Sequence, residues 1–235
     1  MSFPHNCVIC AAALDTRISI CSRCEEQLPW QPPGCLYCGI MLIRAGDSPS
    51  VCTKCQQALP AFDSCHALFE YCSPVQELIS SFKYQHQFAP GRVFGQLLAQ
   101  TFTRHYEDRL VPELLIPVPL HKRRLQQRGY NQSALLAREI SRSCNIPVDT
   151  NSCTRQSATP AQRGLNARER ARNIFNAFDV DSSLKNSPAS ANSLPERVAV
   201  IDDVVTTTAT VNELALTLRH AGVRVIDVWA VARVN

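Results

Sequence analysis

Two neighbouring carboxylates followed by a run of hydroxyls are the best-equipped residues in this chain for chemistry. Asp202 and Asp203 come directly after the apolar stretch 198–201, and Thr206, Thr207, Thr208, Ala209 and Thr210 follow within a few residues. A ribose presents a cis-diol, which two adjacent acceptors match; the same pair could instead hold Mg2+ through water. The hydroxyls and main-chain N–H groups of the turn, with a helix starting behind them, suit a phosphate. Together these residues read as a cradle for a ribose phosphate.

A second group sits at the other end of the chain. Cys7/Cys10, Cys21/Cys24, Cys35/Cys38 and Cys52/Cys55 are four Cys-x-x-Cys pairs, separated by 10, 10 and 13 residues. Two intervening residues let both thiolates reach one tetrahedral ion across a knuckle turn, so four knuckles make two Zn2+ sites. Gly39, directly after Cys38, suits a turn that needs a positive φ. Sequential pairing is expected, first four ligands on one ion and last four on the other; interleaved pairing is the alternative. Four thiolates leave no open position, so the metals are structural. Cys65, Cys72, Cys144 and Cys153 have no partner at knuckle spacing and read as core residues.

The third group is basic. Residues 116–175 hold 11 Lys and Arg against 3 Asp and Glu, a local excess of +8 in a chain whose total is +4. Such a stretch favours a polyanion: nucleic acid, pyrophosphate or a nucleotide. Arg123, Arg124, Arg128, Tyr130, Arg163, Arg168 and Arg172 are the candidates for a DNA contact, with Tyr130 and Arg128 able to stack on bases. The competing reading is structural: Arg128 and Asn131 fix a turn before a helix, and Tyr130 packs.

Periodicity supplies the elements that must position these groups. Residues 68–71 read as a short strand. Val75, Leu78, Ile79 and Phe82 form a helical stripe with Pro74 at its first turn. Residues 92–105 and 131–142 read as helices, and 114–118 as a buried strand stopped by prolines. Residues 181–195, rich in Ser, Asn and Pro, read as a solvated loop. Strand 198–201, helix 210–221 with Gly222 as its cap and strand 223–231 make a parallel βαβ unit, hence an α/β domain. Residues 1–62 cannot bury a core of their own and read as a metal-stapled module ahead of a domain spanning 63–235. No apolar run is long enough to span a bilayer and no leader pattern is present, which places the expected protein in the cytoplasm.

The acidic strand end and Thr-rich turn resemble the signature of type I phosphoribosyltransferases, which bind phosphoribosyl pyrophosphate (PRPP). Further segments narrow the resemblance to the ComF/GntX family of competence-associated proteins: Val75-Gln-Glu-Leu-Ile-Ser-Ser-Phe-Lys83-Tyr84, Pro117-Val-Pro-Leu-His-Lys122-Arg123-Arg124, Arg128-Gly129-Tyr130-Asn131-Gln132-Ser133, Thr154-Arg155 through Gln162, Arg172-Asn173 and Ala177-Phe178. The resemblance covers essentially the whole chain. It implies a type I phosphoribosyltransferase-like parallel sheet flanked by helices behind a double zinc ribbon. It also implies PRPP with Mg2+ at Asp202 and Asp203, the catalytic pair of such folds, and its phosphate on residues 206–210. Lys122, Arg123 and Arg124 fall where such folds hold pyrophosphate, and residues 155–172 where they carry a mobile loop. One position departs from the pattern. The usual turn is Thr-Thr-Gly-x-Thr, and Thr208 replaces its glycine. A β-branched residue costs about 1–2 kcal/mol if the left-handed conformation is required there.

The resemblance implies a role in uptake or use of external DNA, by engaging incoming single strands, with other DNA-uptake proteins as partners. Two alternatives stand beside it: an active phosphoribosyltransferase on a nucleobase-like acceptor, and a regulatory module that senses PRPP or a nucleotide.

Overall fold

A computed structural model describes residues 5–15, 18–42, 50–156, 176–181, 184 and 194–235. The apolar run at 198–201 is wholly buried, as expected for a parallel strand covered on both faces. It belongs to β7 (Arg197–Val205), the centre of a parallel sheet with β3 (Ser64–Glu70), β8 (Val225–Arg233) and β4 (Leu114–Pro117), in the order β3-β8-β7-β4. A bridge from Leu115 to Val148 lies beyond β4. The sheet and the flanking helices give the expected mixed α/β fold.

Alternation along the strands sorts the core into two halves. Leu115, Ala199, Ile201, Trp229 and Val231 join α3 (Val75–Tyr84), α4 (Phe88–His105) and α6 (Gln132–Cys144). Leu114, Ile116, Val198, Val200, Val228 and Ala230 join α7 (Ala209–Ala221). Each fully buried Val or Leu contributes about 1.5–3 kcal/mol, so Val211, Leu214 and Leu218 hold α7 firmly across the sheet. Gly222 ends α7 at φ 108, in the left-handed region that favours glycine. A short antiparallel pair, β5 (Cys153–Arg155) and β6 (Phe178–Val180), covers the same side.

At the start of β8 the buried Asp227 accepts from Ser64 Oγ at 2.6 Å and Tyr106 Oη at 2.7 Å. The hydrogen bonds satisfy a carboxylate that would otherwise be costly to bury.

The N-terminal segment contains β1 (His5–Asn6) paired antiparallel with β2 (Ala13–Leu14), then α1 (Ser22–Glu26) and α2 (Thr53–Gln57). Its buried cysteines enter both halves of the core: Cys7 and Cys24 the α4 side, and Cys35, Cys38 and Cys55 the α7 side. Among the described residues no helix is long and apolar enough to cross a membrane.

Several boundaries differ from the sequence expectation: β3 begins at Ser64, four residues early, and β8 runs two residues further along than 223–231. Strand β7 runs through Asp202 and Asp203 to Val205 instead of stopping before them, because both acids find partners there. Helix α4 starts at Phe88, four residues early, with Pro90 in its first turn, where a missing N–H costs little. Residues 122–128 form a helix, α5 (Lys122–Arg128), that periodicity does not reveal. The expected loop at 181–195 falls mostly outside the described residues.

Candidate sugar-phosphate site and metal centres

Lys83 organises the acidic pair. It follows Ile79 by four positions and so lies on the apolar stripe of α3, where a charged residue needs a partner. Its Nζ lies 2.9 Å from Asp203 Oδ2, both side chains being largely shielded. Asp202 Oδ1 accepts from Ser133 Oγ at 3.2 Å and from the Asp203 N–H at 2.9 Å. Burial, then the neighbouring Asp203 charge, pushes the Asp202 carboxyl up to about 7, with Lys83 opposing the rise. Burial by itself would lower the Lys83 pKa; the Asp203 carboxylate outweighs it and holds the ammonium above its ordinary value. The centre therefore keeps one carboxylate paired and leaves the other able to take or release a proton near neutrality.

The hydroxyl-rich turn follows immediately. Thr208 adopts φ 65 and ψ −5, the left-handed conformation a glycine would occupy at no steric cost. Its Oγ1 donates to its neighbour's carbonyl, Thr207 O, at 2.5 Å, and its own carbonyl receives the Asn212 N–H at 2.9 Å. One small pocket of about 30 Å³ is lined by Asp202, Val204, Val205, Thr206, Thr208, Ala209, Thr210 and Val211. Asp202 and most of the predicted phosphate turn thus share a single concavity at the start of α7; Thr207 is not part of its lining. A wider, shallow depression over Gln100, Thr103, Arg104, Glu107 and Ser143 contains neither the acid pair nor the turn.

The predicted basic residues divide. Lys122 and Arg123 are exposed and Arg124 half-buried on α5, which contains no acid and buries none of its side chains. His121 caps this helix by accepting the Arg123 N–H through Nδ1 at 3.2 Å. Arg128 Nη1 donates to Gln132 Oε1 at 2.7 Å, and its guanidinium lies 5.1 Å from the Tyr84 ring centre. Tyr130 is half-buried, donates to Phe82 O and packs on Phe88 with ring centres 4.9 Å apart. Asn131 donates to Val118 O at 3.0 Å and caps α6 by accepting the Ser133 N–H at 3.0 Å. Arg128, Tyr130 and Asn131 therefore carry the turn-fixing roles. Tyr84 and Phe88 instead leave 56 % and 52 % of their surface open beside Arg128. Arg163, Arg168 and Arg172 lie outside the described residues.

Both cysteine sites pair sequentially. Cys7, Cys10, Cys21 and Cys24 bring their sulfurs within 4.8 Å of one another, and so do Cys35, Cys38, Cys52 and Cys55. The Cys10–Cys21 and Cys38–Cys52 Sγ separations are 3.8 and 3.7 Å. Tetrahedral zinc with bonds of about 2.3 Å requires sulfur separations of about 3.8 Å, so the donor sets fit. In the second site the Cys52 and Cys55 N–H groups point at Cys35 Sγ (3.4 Å) and Cys52 Sγ (3.5 Å), tightening the knuckle around its thiolates. Gly39 has φ +67, and a Cβ there would sit 2.5 Å from Cys65 O. Of the other cysteines, Cys65 and Cys153 are core thiols that burial pushes up to about 12. Cys72 is exposed and Cys144 only half-buried, so neither is the core residue expected.

Four further residues touch the acids or the turn: Lys83 and Ser133 at the acids, Lys54 through Thr207 O at 2.9 Å and Arg233 through Thr206 O. Lys83 was legible as a cation on an apolar stripe. Ser133, Lys54 and Arg233 had no signal in local spacing.

Two four-cysteine ribbons in front of a parallel α/β sheet, with an acid pair leading into a Thr-rich turn, define a zinc-ribbon α/β protein. The double zinc ribbon domain model matches residues 1–56. The chain is 36% identical over 234 residues to Competence protein F of Haemophilus influenzae, covering 98% of each. It is 30% identical over 236 residues to the DNA utilization protein YhgH of Escherichia coli K12, covering 99% of each. Competence protein ComFC of Bacillus subtilis is 26% identical over 156 residues, 66% of this chain and 58% of that protein. The chain belongs to the ComF family of competence and DNA-utilization proteins.

Proposed function

We propose that this protein binds a ribose 5-phosphate group, in the form of PRPP or a related phosphosugar or nucleotide, and serves the uptake or use of external DNA in the cytoplasm. The observation that carries the ligand is the single pocket shared by Asp202 and the turn around Thr206, Thr208, Ala209 and Thr210. In this reading the turn takes the phosphate, Asp202 and Asp203 take the ribose hydroxyls or Mg2+ through water, and Lys83 pairs with Asp203. Lys122, Arg123 and Arg124, on the helix that follows β4, would be the residues for the pyrophosphate. Residues 1–62 form the metal module and 63–235 the sugar-phosphate domain. Mg2+ would offset phosphate charge; the protein's own part is to position the sugar and exclude alternatives to it.

Titration calorimetry with PRPP and Mg2+ tests the pocket. Binding to the parent protein and its loss in a double Asp202→Asn, Asp203→Asn variant is the expected result; equal heats from both remove the assignment. Release of pyrophosphate with a nucleobase acceptor separates a transferase from a binding or sensing protein.

Single-stranded DNA is the second ligand in this proposal. It is supported by α5, whose four cations reach solvent without an acid among them, and by the competence and DNA-utilization names of the relatives. Neutralising phosphates releases counterions, so binding weakens steeply with salt. Reversing the charges of Arg123 and Arg124 is expected to flatten that slope by about two, roughly one per lost contact. An unchanged slope removes α5 from the DNA surface.

A further inference from the structure

The carbonyls of three consecutive residues at the turn are held by cations from outside it. Arg233 Nη1 donates to Val205 O at 3.3 Å and to Thr206 O, and Lys54 Nζ donates to Thr207 O at 2.9 Å. Val205 O also receives the Val234 N–H at 3.0 Å. Across a planar trans peptide the C=O of one residue and the N–H of the next point in opposite directions. Drawing these three carbonyls toward Arg233 and Lys54 therefore turns the N–H groups of Thr206, Thr207 and Thr208 away from them. Among the described residues no main-chain acceptor meets those three N–H groups. Consecutive main-chain donors without a main-chain acceptor are the groups from which an anion nest is built.

Both cations are tied to the second metal centre. Lys54 lies between the ligands Cys52 and Cys55, so the knuckle sets where its stem begins. Arg233 Nε donates to the carbonyl of Cys38, another ligand, at 3.1 Å. Arg233 is 3 % exposed, and among the described residues no carboxylate lies within ion-pair distance of it. Its partners are the carbonyls of Cys38, Val205, Thr206 and Val234. A buried guanidinium is expensive without a counter-charge; the four-thiolate zinc site behind Cys38 is net anionic on one side of it, and an anion on the turn would add charge on the other. Among the described residues the first metal centre has none of these connections: Cys7 and Cys24 pack on the α4 side of the sheet.

We infer that the second ribbon is the backing of the anion turn: Lys54 and Arg233 are positioning residues for a bound phosphate, and metal at Cys35, Cys38, Cys52 and Cys55 and a sugar phosphate at the turn strengthen each other's binding. The inference rests on the sugar-phosphate reading of the pocket. Coupling of this kind is reciprocal: whatever factor the metal adds to phosphate affinity, the phosphate adds to metal affinity.

The test uses the full zinc-loaded chain, with PRPP and Mg2+ as the probe. Lys54→Met, at an exposed position, is expected to weaken binding about tenfold, the scale of one charge-assisted hydrogen bond, and Lys54→Arg to restore most of it. PRPP is expected to slow zinc transfer to a chromogenic chelator about tenfold from the second ribbon and not from the first. A Cys7→Ser variant, which retains only the second site, identifies the protected ion. Equal affinity of parent and Lys54→Met, or equal slowing of both ions, overturns the coupling. If the parent does not bind PRPP, the pocket reading has failed by itself. The wiring is then read from hydrogen exchange of a peptide covering residues 204–210: faster exchange in Lys54→Met upholds it, and unchanged exchange overturns it.

Discussion

The two metal ribbons use the same ligands at nearly the same spacing, yet their surroundings give them different work. The first sets Cys7 and Cys24 in the half of the core that contains Leu68, Phe69 and Phe94, where it adds apolar mass. The second sets Cys35, Cys38 and Cys55 in the other half, which contains Phe62, Val228 and Ala230, and it is also linked to the turn through Lys54 and Arg233. Further bonds run between the same regions: the Ala61 N–H donates to Asn212 Oδ1 at 2.8 Å, and Arg219 Nε donates to Ala61 O at 2.9 Å. Both of these side chains belong to α7, the helix that starts at the turn. A four-thiolate site is thus a staple on one half of the core, and on the other a staple whose neighbours Lys54 and Arg233 also hold the turn. The difference lies entirely in what the metal is packed against.

Removing one ligand from each ribbon separates these roles most sharply. Structural zinc in small modules contributes about 10–16 kcal/mol of binding free energy, so Cys7→Ser and Cys38→Ser should each lose one zinc by elemental analysis. Both should retain the circular dichroism of the sheet. Only Cys38→Ser should lose PRPP affinity, by more than about tenfold, on the loss of charge-assisted hydrogen bonds. Equal losses would mean that the ribbons are interchangeable staples.

Acid–base behaviour distinguishes the pocket from its backing at intermediate scale. Asp202, raised to about 7, is protonated below that pH and ionised above it. Affinity for a ribose diol or Mg2+ should therefore rise as pH increases through about 7, and Asp202→Asn should abolish the rise. Lys83→Met removes the charge that opposes the shift, so any remaining midpoint should move upward. Folding stability carries the opposite sign. Between about pH 4 and 7 the native chain holds a proton on Asp202 that the unfolded chain has released, so this group's contribution falls as pH rises. Urea unfolding of the parent and of Asp202→Asn at pH 5 and 8 measures it. Lys54→Met should leave the titration midpoint in place, because Lys54 touches the turn and not the acids.

The smallest effect concerns the turn itself. Thr208→Gly relieves about 1–2 kcal/mol of left-handed strain and returns about 0.5–1 kcal/mol in chain entropy. The net gain should be about 0.5–1 kcal/mol, a melting temperature higher by about 1–4 °C. A loss of stability would show that the Thr208 hydroxyl, donating to Thr207 O, is worth more than the strain.

Much of the fold was legible in the sequence. The stripe of Val75, Ile79 and Phe82, the run 198–201 and the capping Gly222 all declare themselves through contacts a few residues apart, and each formed the expected element. Helix α5 did not, because its only large apolar residue is Leu125 and one residue makes no period. The end of β7 was misplaced for a related reason. Adjacent acids read as the close of a buried strand unless one knows that Lys83 and Ser133 are waiting for them.

The metal knuckles and the hydroxyl-rich bend follow from chain order, since two intervening residues bring thiolates together and a run of hydroxyls between a buried strand and a helix marks a turn. Which knuckle backs the bend does not follow from order. Lys54 meets Thr207 across 153 residues and Arg233 meets Cys38 across 195. No local period encodes such contacts. They exist because the sheet offers two faces and the second ribbon is packed on the one that also holds α7.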